Sequence, residues 1–102
     1  MLFLTYWELN ENMSEGERLE FVQKVMSSGL FPPKDVKVLR WDVTPDGWGI
    51  LLTEAQSAAD VIRSLDTWRC AKGGFFKFTK TATAIPVEES MPIGESLVEA
   101  LG

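Results

Sequence analysis

Thr44-Pro45-Asp46-Gly47 separates two runs of β-branched and aromatic residues, Val36 to Val43 and Trp48 to Thr53, and this leaves the middle of the chain little choice but a hairpin. Pro45 and Asp46 suit the two central positions of a type I turn, and Gly47 suits the left-handed residue of a three-residue bulged loop. Closed in this way, the turn sets Thr44 opposite Trp48, Asp42 opposite Ile50, Arg40 opposite Leu52 and Val38 opposite Glu54. One face then carries Val36, Val38, Arg40, Asp42, Trp48, Ile50 and Leu52, and the other Leu39, Trp41, Val43, Gly49 and Leu51. Neither face is polar.

The flanking segments read as strand and helix on each side. Leu2 to Glu8 is a first strand that stops at Asn10-Glu11-Asn12, and Ser14 with Glu17 has the spacing of a capping box for a helix over 15–28. Its apolar stripe is Leu19, Val22, Val25 and Met26, Gly29 provides the C-terminal cap, and Phe31-Pro32-Pro33 forces an extended connection. Ser57 with Asp60 starts a second helix with the stripe Ala58, Val61, Ile62, Leu65 and Trp68, closed by Gly73-Gly74. Phe75 to Ala84 alternates as a last strand, with Phe76, Phe78, Ala82 and Ala84 on one side and Phe75, Lys77, Thr79, Thr81 and Thr83 on the other. After Pro86 the chain becomes acidic, and Gly94 to Leu101 reads as a short helix with Leu97, Val98 and Leu101 inward. The division is therefore an α+β domain over 1–86 and an acidic C-terminal tail over 87–102.

The order strand, helix, strand, strand, helix, strand is the split βαβ pattern. It folds into a two-layer ferredoxin-like βαββαβ sandwich, a four-stranded antiparallel sheet with both helices on one face. The other face is left bare, and an apolar bare face needs a cover. A second copy of the chain is the simplest one, so a homodimer joined through the open sheet face is expected. The sequence leaves open which face that is.

Composition narrows the function classes by exclusion. The chain has 102 residues, no histidine, a single cysteine and a formal net charge of −5. Without histidine there are no Ser-His-Asp or Cys-His nucleophiles, no histidine-based metal sites and no histidine axial ligand for haem. Cys70 alone makes neither an intrachain disulfide nor a cysteine-rich zinc site, so no cofactor and no metal are expected. Lys and Arg are scattered through an acidic chain, which argues against nucleic acid and against an anionic membrane as partners. The segment Met1 to Leu9 has neither the basic leader of a signal peptide nor the length of a membrane span, and the expected location is cytoplasmic.

Several local patterns pull the whole chain towards one relationship. These are the opening strand ending in Tyr6-Trp7, Gly29-Leu30-Phe31-Pro32-Pro33, Val38-Leu39-Arg40-Trp41, Asp46-Gly47-Trp48-Gly49, Thr53-Glu54-Ala55, and a helix ending at Trp68. In them the chain resembles an uncharacterised domain-of-unknown-function family of the dimeric α/β-barrel group. The resemblance implies the ferredoxin-like fold and face-to-face dimerisation. It also implies a histidine just after the tryptophan of the second strand, where this chain has Asp42. Several oxygenases and haem-degrading enzymes share that fold, but fold alone is a weak warrant for activity.

The remaining candidates are side chains that could meet a ligand. Tyr6, Trp7, Trp41, Trp48, Phe76 and Phe78 supply enough rings to line an apolar pocket between sheet and helices, though core packing also accounts for them. Arg40 and Asp42 stand two apart on one strand and so share a side, suited to a same-face ion pair or to a polar ligand group. Gly73-Gly74 and Gly47-Trp48-Gly49 lack the following Lys and Ser or Thr of a phosphate loop and read as cap and turn. Cys70 reads as a structural thiol, and Glu8 and Glu54 as solvated strand-end carboxylates. The leading reading is a non-catalytic homodimer that binds a small apolar ligand or a protein partner. The alternative is a cofactor-independent oxygenase or isomerase acting on a hydrophobic aromatic substrate, oriented by Tyr6, Arg40 and Trp48. A third reading is a purely structural or assembly subunit.

Overall fold

The structure, a computed structural model, describes residues 1–102 as β1 (Leu2–Leu9), α1 (Glu15–Ser28), β2 (Lys37–Val43), β3 (Trp48–Glu54), α2 (Ala58–Ala71), β4 (Phe76–Ala84) and α3 (Val87–Leu101). The strands form one antiparallel sheet in the order β2-β3-β1-β4. With α1 and α2 against one face, this is the two-layer ferredoxin-like α+β sandwich. Local chemistry sets the helix ends: the Ser14 hydroxyl accepts the backbone N–H of Glu17 at 3.2 Å, and Gly29 closes α1 with φ +74°.

Alternation along β1 and β3 decides which face the helices cover. Phe3, Thr5 and Trp7 are buried on β1, and Gly49, Leu51 and Thr53 on β3, so Leu4, Tyr6, Trp48, Ile50 and Leu52 belong to the open face. The inner face packs in two groups. Trp7, Met13, Val25, Phe31, Leu51, Trp68 and Phe75 form the larger, and Phe3, Val36, Ala55, Val61 and Leu65 the smaller. α1 contributes Val25 with half-buried Phe21 and Val22, while Leu19 and Met26 are exposed. α2 contributes Val61, Ser64, Leu65 and Trp68 and leaves Ile62 outside. The contact face of each helix is thus turned by roughly one position from the expected stripe.

Gly49 has no freedom to be anything larger. A Cβ there would overlap the backbone oxygen of Asp42 and come within 2.6 Å of the Trp7 ring. Trp7, paired with Gly49 across β1 and β3, therefore lies over a position with no side chain.

Two bulges correct the expected faces. The hairpin keeps Asp42 opposite Ile50 and Arg40 opposite Leu52, but the register shifts between Val38 and Arg40, and Val38 meets Thr53 instead of Glu54. One extra residue flips everything before it. Val36 is consequently buried beside Phe3 and Val38 is half-buried on the helix side, while Leu39, the inserted residue, is exposed. A second shift between Glu8 and Leu9 sets Leu9 opposite Phe76 and Glu8 opposite Phe78. Phe76 thus joins Phe75 and Trp7 on the helix side, and Phe78 stays on the open face with Ala82 and Ala84.

The C-terminal tail departs most from expectation. It is helical from Val87, not Gly94, and none of its side chains is buried; Leu97, Val98 and Leu101 are exposed where an inward stripe was expected. Its Ser90 and Ser96 hydroxyls donate only to carbonyls of the same helix.

Two glycine substitutions separate conformational strain from lack of space. Gly47 has φ +76° with its nearest atom at 4.0 Å, so Gly47→Val costs about 1–2 kcal/mol through strain alone. Gly49→Ala forces Trp7 and β2 apart and costs about 2–3 kcal/mol. Thermal unfolding followed by circular dichroism should rank Gly49→Ala as the lower-melting variant, with Gly47→Val between it and the parent. Equal melting curves for all three would contradict this account of the hairpin.

Candidate functional site

The inner face is incompletely filled. Between α1 and the strands lies an apolar cavity of about 310 Å³, walled by rings and aliphatic chains from β1, β2, α2 and the start of β4. The walls are a run of touching aromatics: Phe31 to Trp41 at 5.1 Å, Trp41 to Trp68 at 5.6 Å, Trp68 to Phe75 at 5.2 Å and Phe75 to Phe76 at 5.1 Å between centroids. Val22 and Leu19 of α1 form the lid side. β2 carries Trp41 into this run because the turn fixes the register from Val43 back to Arg40.

The polar groups of the cavity are few and unevenly satisfied. Arg18 donates from Nη1 to Glu15 at 2.7 Å and from Nη2 to the carbonyl of Asn10 at 2.8 Å, which anchors the start of α1 to the end of β1. Its Nε is buried without an acceptor, and so is the indole Nε1 of Trp7. Both residues line the cavity, and both orphaned atoms are donors. A buried N–H without a partner costs on the order of 1–3 kcal/mol, and a pocket is one place where a ligand makes up that loss. Asp42 also borders the cavity, but its carboxylate is held by Arg40.

The residues singled out from sequence divide between the two faces. Trp7, Trp41 and Phe76 line the cavity. Tyr6, Trp48 and Phe78 gather instead on the open face, with Tyr6 5.7 Å from Trp48 and 6.1 Å from Phe78 between ring centroids. Arg40 and Asp42 do form a same-face pair, at 2.6 Å on the exposed edge strand β2, and the carboxylate holds the Arg40 guanidinium above its ordinary pKa. Glu8 accepts the Tyr6 hydroxyl at 2.8 Å, whereas Glu54 lies at the far end of β3. Cys70 is exposed, and no three carboxylate or cysteine side chains converge as a metal-binding group. Arg18, Val22 and Phe31 are cavity residues that sequence reasoning missed. Arg18 stands one turn before Val22 and two before Val25 on the same side of α1, and that helical spacing is the signal that could have found it.

No protein-family model and no curated protein matches the chain. Solved structures do match it, among them the crystal structure of protein Atu4242 from Agrobacterium tumefaciens, a structural-genomics target. That protein is 12% identical, with 84% of this chain and 93% of that chain covered and a TM-score of 0.50. The likeness shows the fold alone. No helix is long and apolar enough to cross a membrane.

Tyr6 is the one tyrosine of the chain, so its ionisation can be read directly. Its hydroxyl donates to Glu8, and losing the proton would break that bond and set two negative charges together, which raises its pKa above the ordinary 10.0. Ultraviolet titration should therefore find tyrosinate forming above the usual pH, and Glu8→Gln, which removes the charge, should lower the midpoint. An identical midpoint in parent and variant would contradict the contact.

Proposed function

We propose that the chain is a homodimeric binding protein of the dimeric α/β-barrel type, and that the cavity between α1 and the sheet takes a small, mainly apolar molecule carrying at least one acceptor oxygen. The observation that supports this reading is the pair of buried, unpartnered N–H groups of Trp7 and Arg18, two residues that line a mainly apolar cavity. A purely structural core would be expected to close over that space or to pair those donors. The volume of about 310 Å³ falls at the small end of ligand pockets. Aromatic walls favour a planar ring, and the unpartnered N–H groups favour a carbonyl or ester oxygen, while Glu15 and Asp42 in the lining oppose an anion.

The dimer is supported by surface that one chain leaves bare. A compact protein of 11.4 kDa exposes about 5,800 Å². This chain exposes 7020 Å², with only 17 of its 102 residues buried. The excess of about 1,200 Å² exceeds the ~800 Å² per partner of a standard stable interface. The open face has an apolar centre of Leu4, Tyr6, Trp48, Ile50 and Leu52, with Asp42 on edge strand β2 and Lys80, which has no ion-pair partner, on edge strand β4. Asp42, Ile50, Tyr6 and Lys80 form one row across the sheet. With two such faces opposed, a two-fold axis parallel to the strands brings each Lys80 towards the partner's Asp42. An in-plane axis perpendicular to the strands would stack Lys80 towards Lys80 and is disfavoured by charge.

The alternative is a cofactor-independent oxygenase or isomerase acting on a hydrophobic aromatic substrate at Tyr6, Arg40 and Trp48. It draws on the contact between Tyr6 and Trp48. It has less support because Glu8 already occupies the Tyr6 hydroxyl and Asp42 the Arg40 guanidinium.

Two experiments test the reading. Titration with naphthalene and with acetonaphthone, followed by tryptophan fluorescence, should give saturable quenching, with the carbonyl compound binding about tenfold tighter. Val22→Trp should fill the cavity and abolish it. Quenching that never saturates, or that survives Val22→Trp, would count against the site. For the dimer, light scattering should give twice 11.4 kDa for the parent. Ile50→Asp should give a folded monomer, and Leu51→Asp, which charges the core, an unfolded chain. A parent mass near 11.4 kDa at micromolar concentration would refute the dimer.

A further inference from the structure

α3 is built to be covered, and nothing in its own chain covers it. Val87, Met91, Ile93, Leu97, Val98 and Leu101 are each more than half exposed, and together they present on the order of 600 Å² of apolar surface, the upper limit for the largest patch of an ordinary monomer. The chain is correspondingly drawn out, 58 × 30 × 18 Å with a radius of gyration of 16.8 Å, where a compact chain of this length has about 13 Å. A fifteen-residue helix interrupted by Pro92 and Gly94 is marginal in water on its own, so its helicity itself calls for a packing partner.

Charge and topology identify that partner. Between Val87 and Leu101 there are four glutamates, Glu88, Glu89, Glu95 and Glu99, and no basic residue, so the helix carries most of the net charge of −5. The matching cations are Lys34 and Lys37, neither of which has an ion-pair partner in its own chain. Register places them at the right level: Lys37, Glu54, Leu2 and Ala84 form one row across the sheet, and α3 begins three residues after Ala84. Within one chain Lys37 and Ala84 stand on opposite edges, three strand spacings or about 14 Å apart. In a two-fold dimer with its axis parallel to the strands, β4 of one copy lies over β2 of the other, and the start of α3 emerges beside the partner copy's Lys37.

We infer that α3 is a clasp that docks on a second copy of this chain, along the β2 edge of that copy. Glu88 and Glu89 face Lys34 and Lys37 there, and the apolar stripe of α3 covers the exposed bulge residue Leu39. The inference rests on the dimer proposed above and adds the element that locks it. Because the contact is reciprocal, two clasps close each dimer, and their apolar surface supplies most of the ~800 Å² per partner that a stable interface needs.

The test uses the full chain, since no side chain of α3 contributes to the core and its substitutions leave the monomer able to fold. Leu97→Asp with Leu101→Asp should raise the dimer dissociation constant at least about tenfold in sedimentation equilibrium without changing the far-ultraviolet spectrum of the sandwich. Glu88→Lys with Glu89→Lys should weaken the dimer about three- to tenfold, and adding Lys34→Glu with Lys37→Glu should restore it. In hydrogen exchange, α3 amides should be protected in concentrated protein and lose protection on dilution. A stable dimer indifferent to all these changes would overturn the clasp while leaving the sheet-to-sheet dimer standing. A parent that stays monomeric would overturn both. Protection of α3 that is independent of concentration would mean that the helix folds back on its own chain, and would also overturn the clasp.

Discussion

Trp7 resting on Gly49 is the contact from which the rest of this architecture follows. The ring fits only because the paired position on β3 has no side chain, and that requirement fixes how β1 and β3 align. Once those central strands are in register, alternation dictates everything else about the sheet. Phe3, Thr5, Leu51 and Thr53 turn towards the helices, and Tyr6, Trp48, Ile50 and Leu52 turn away. A slip of one residue would exchange the two sets, setting Trp48 and Tyr6 under the helices with the Glu8 carboxylate beside them. The cavity and the bare face are therefore consequences of one alignment.

That alignment also explains why the two faces of the sheet differ in their chemistry. On the helix side, rings that do not interlock leave space, and two of the residues lining it carry a buried donor without an acceptor. On the open side the rings pack only against one another, and the polar groups at the centre are already paired, Tyr6 with Glu8 and Arg40 with Asp42, with Lys80 on the edge strand the exception. Satisfied polar groups around an apolar centre suit a surface that meets another flat surface, because little desolvation is left uncompensated. Unsatisfied donors in an apolar hollow suit a molecule that brings its own oxygen.

Much of this was legible in the sequence, and the parts that were not have a common physical cause. The turn at Thr44 to Gly47, the cap at Ser14, the left-handed Gly29 and the order of the six elements are local signals, written within four or five residues, and they read correctly. The errors at Val36, Val38, Leu39 and Phe76 all come from bulges, where one inserted residue reverses the faces of everything beyond it. Nothing in the local composition marks Leu39 as the inserted residue, and the consequence of the bulge is long-range: it sets Val36 in one cluster with Phe3. The cavity was half-legible for the same reason. Its rings could be counted, but which of them share a face depends on a register that only the folded sheet fixes. Arg18 was missed because a charged residue on a helix reads as solvent-facing, whereas its side chain is only 19% exposed and lines the cavity.

The C-terminal helix shows where single-chain reasoning stops. Its stripe is plain in the sequence, and the inward direction expected of it rests on the premise that apolar side chains turn to their own core. That premise holds only while the chain has core surface to offer. Here α1 and α2 already occupy the inner face, and the outer face is a flat sheet whose apolar centre extends to the strand next to α3. A helix that continues the edge strand β4 has two choices: fold back across its own open face, or leave the molecule. Folding back would cover Leu4 and Phe78 but would bring four glutamates and no basic residue onto a face where Glu8 and Asp42 are already balanced by Arg40 and Lys80. Leaving the molecule costs nothing electrostatically and exposes the stripe, and the structure takes that course. The stripe of α3 therefore stays in solvent beside an uncovered sheet face, and the drawn-out shape of the single chain follows from that placement.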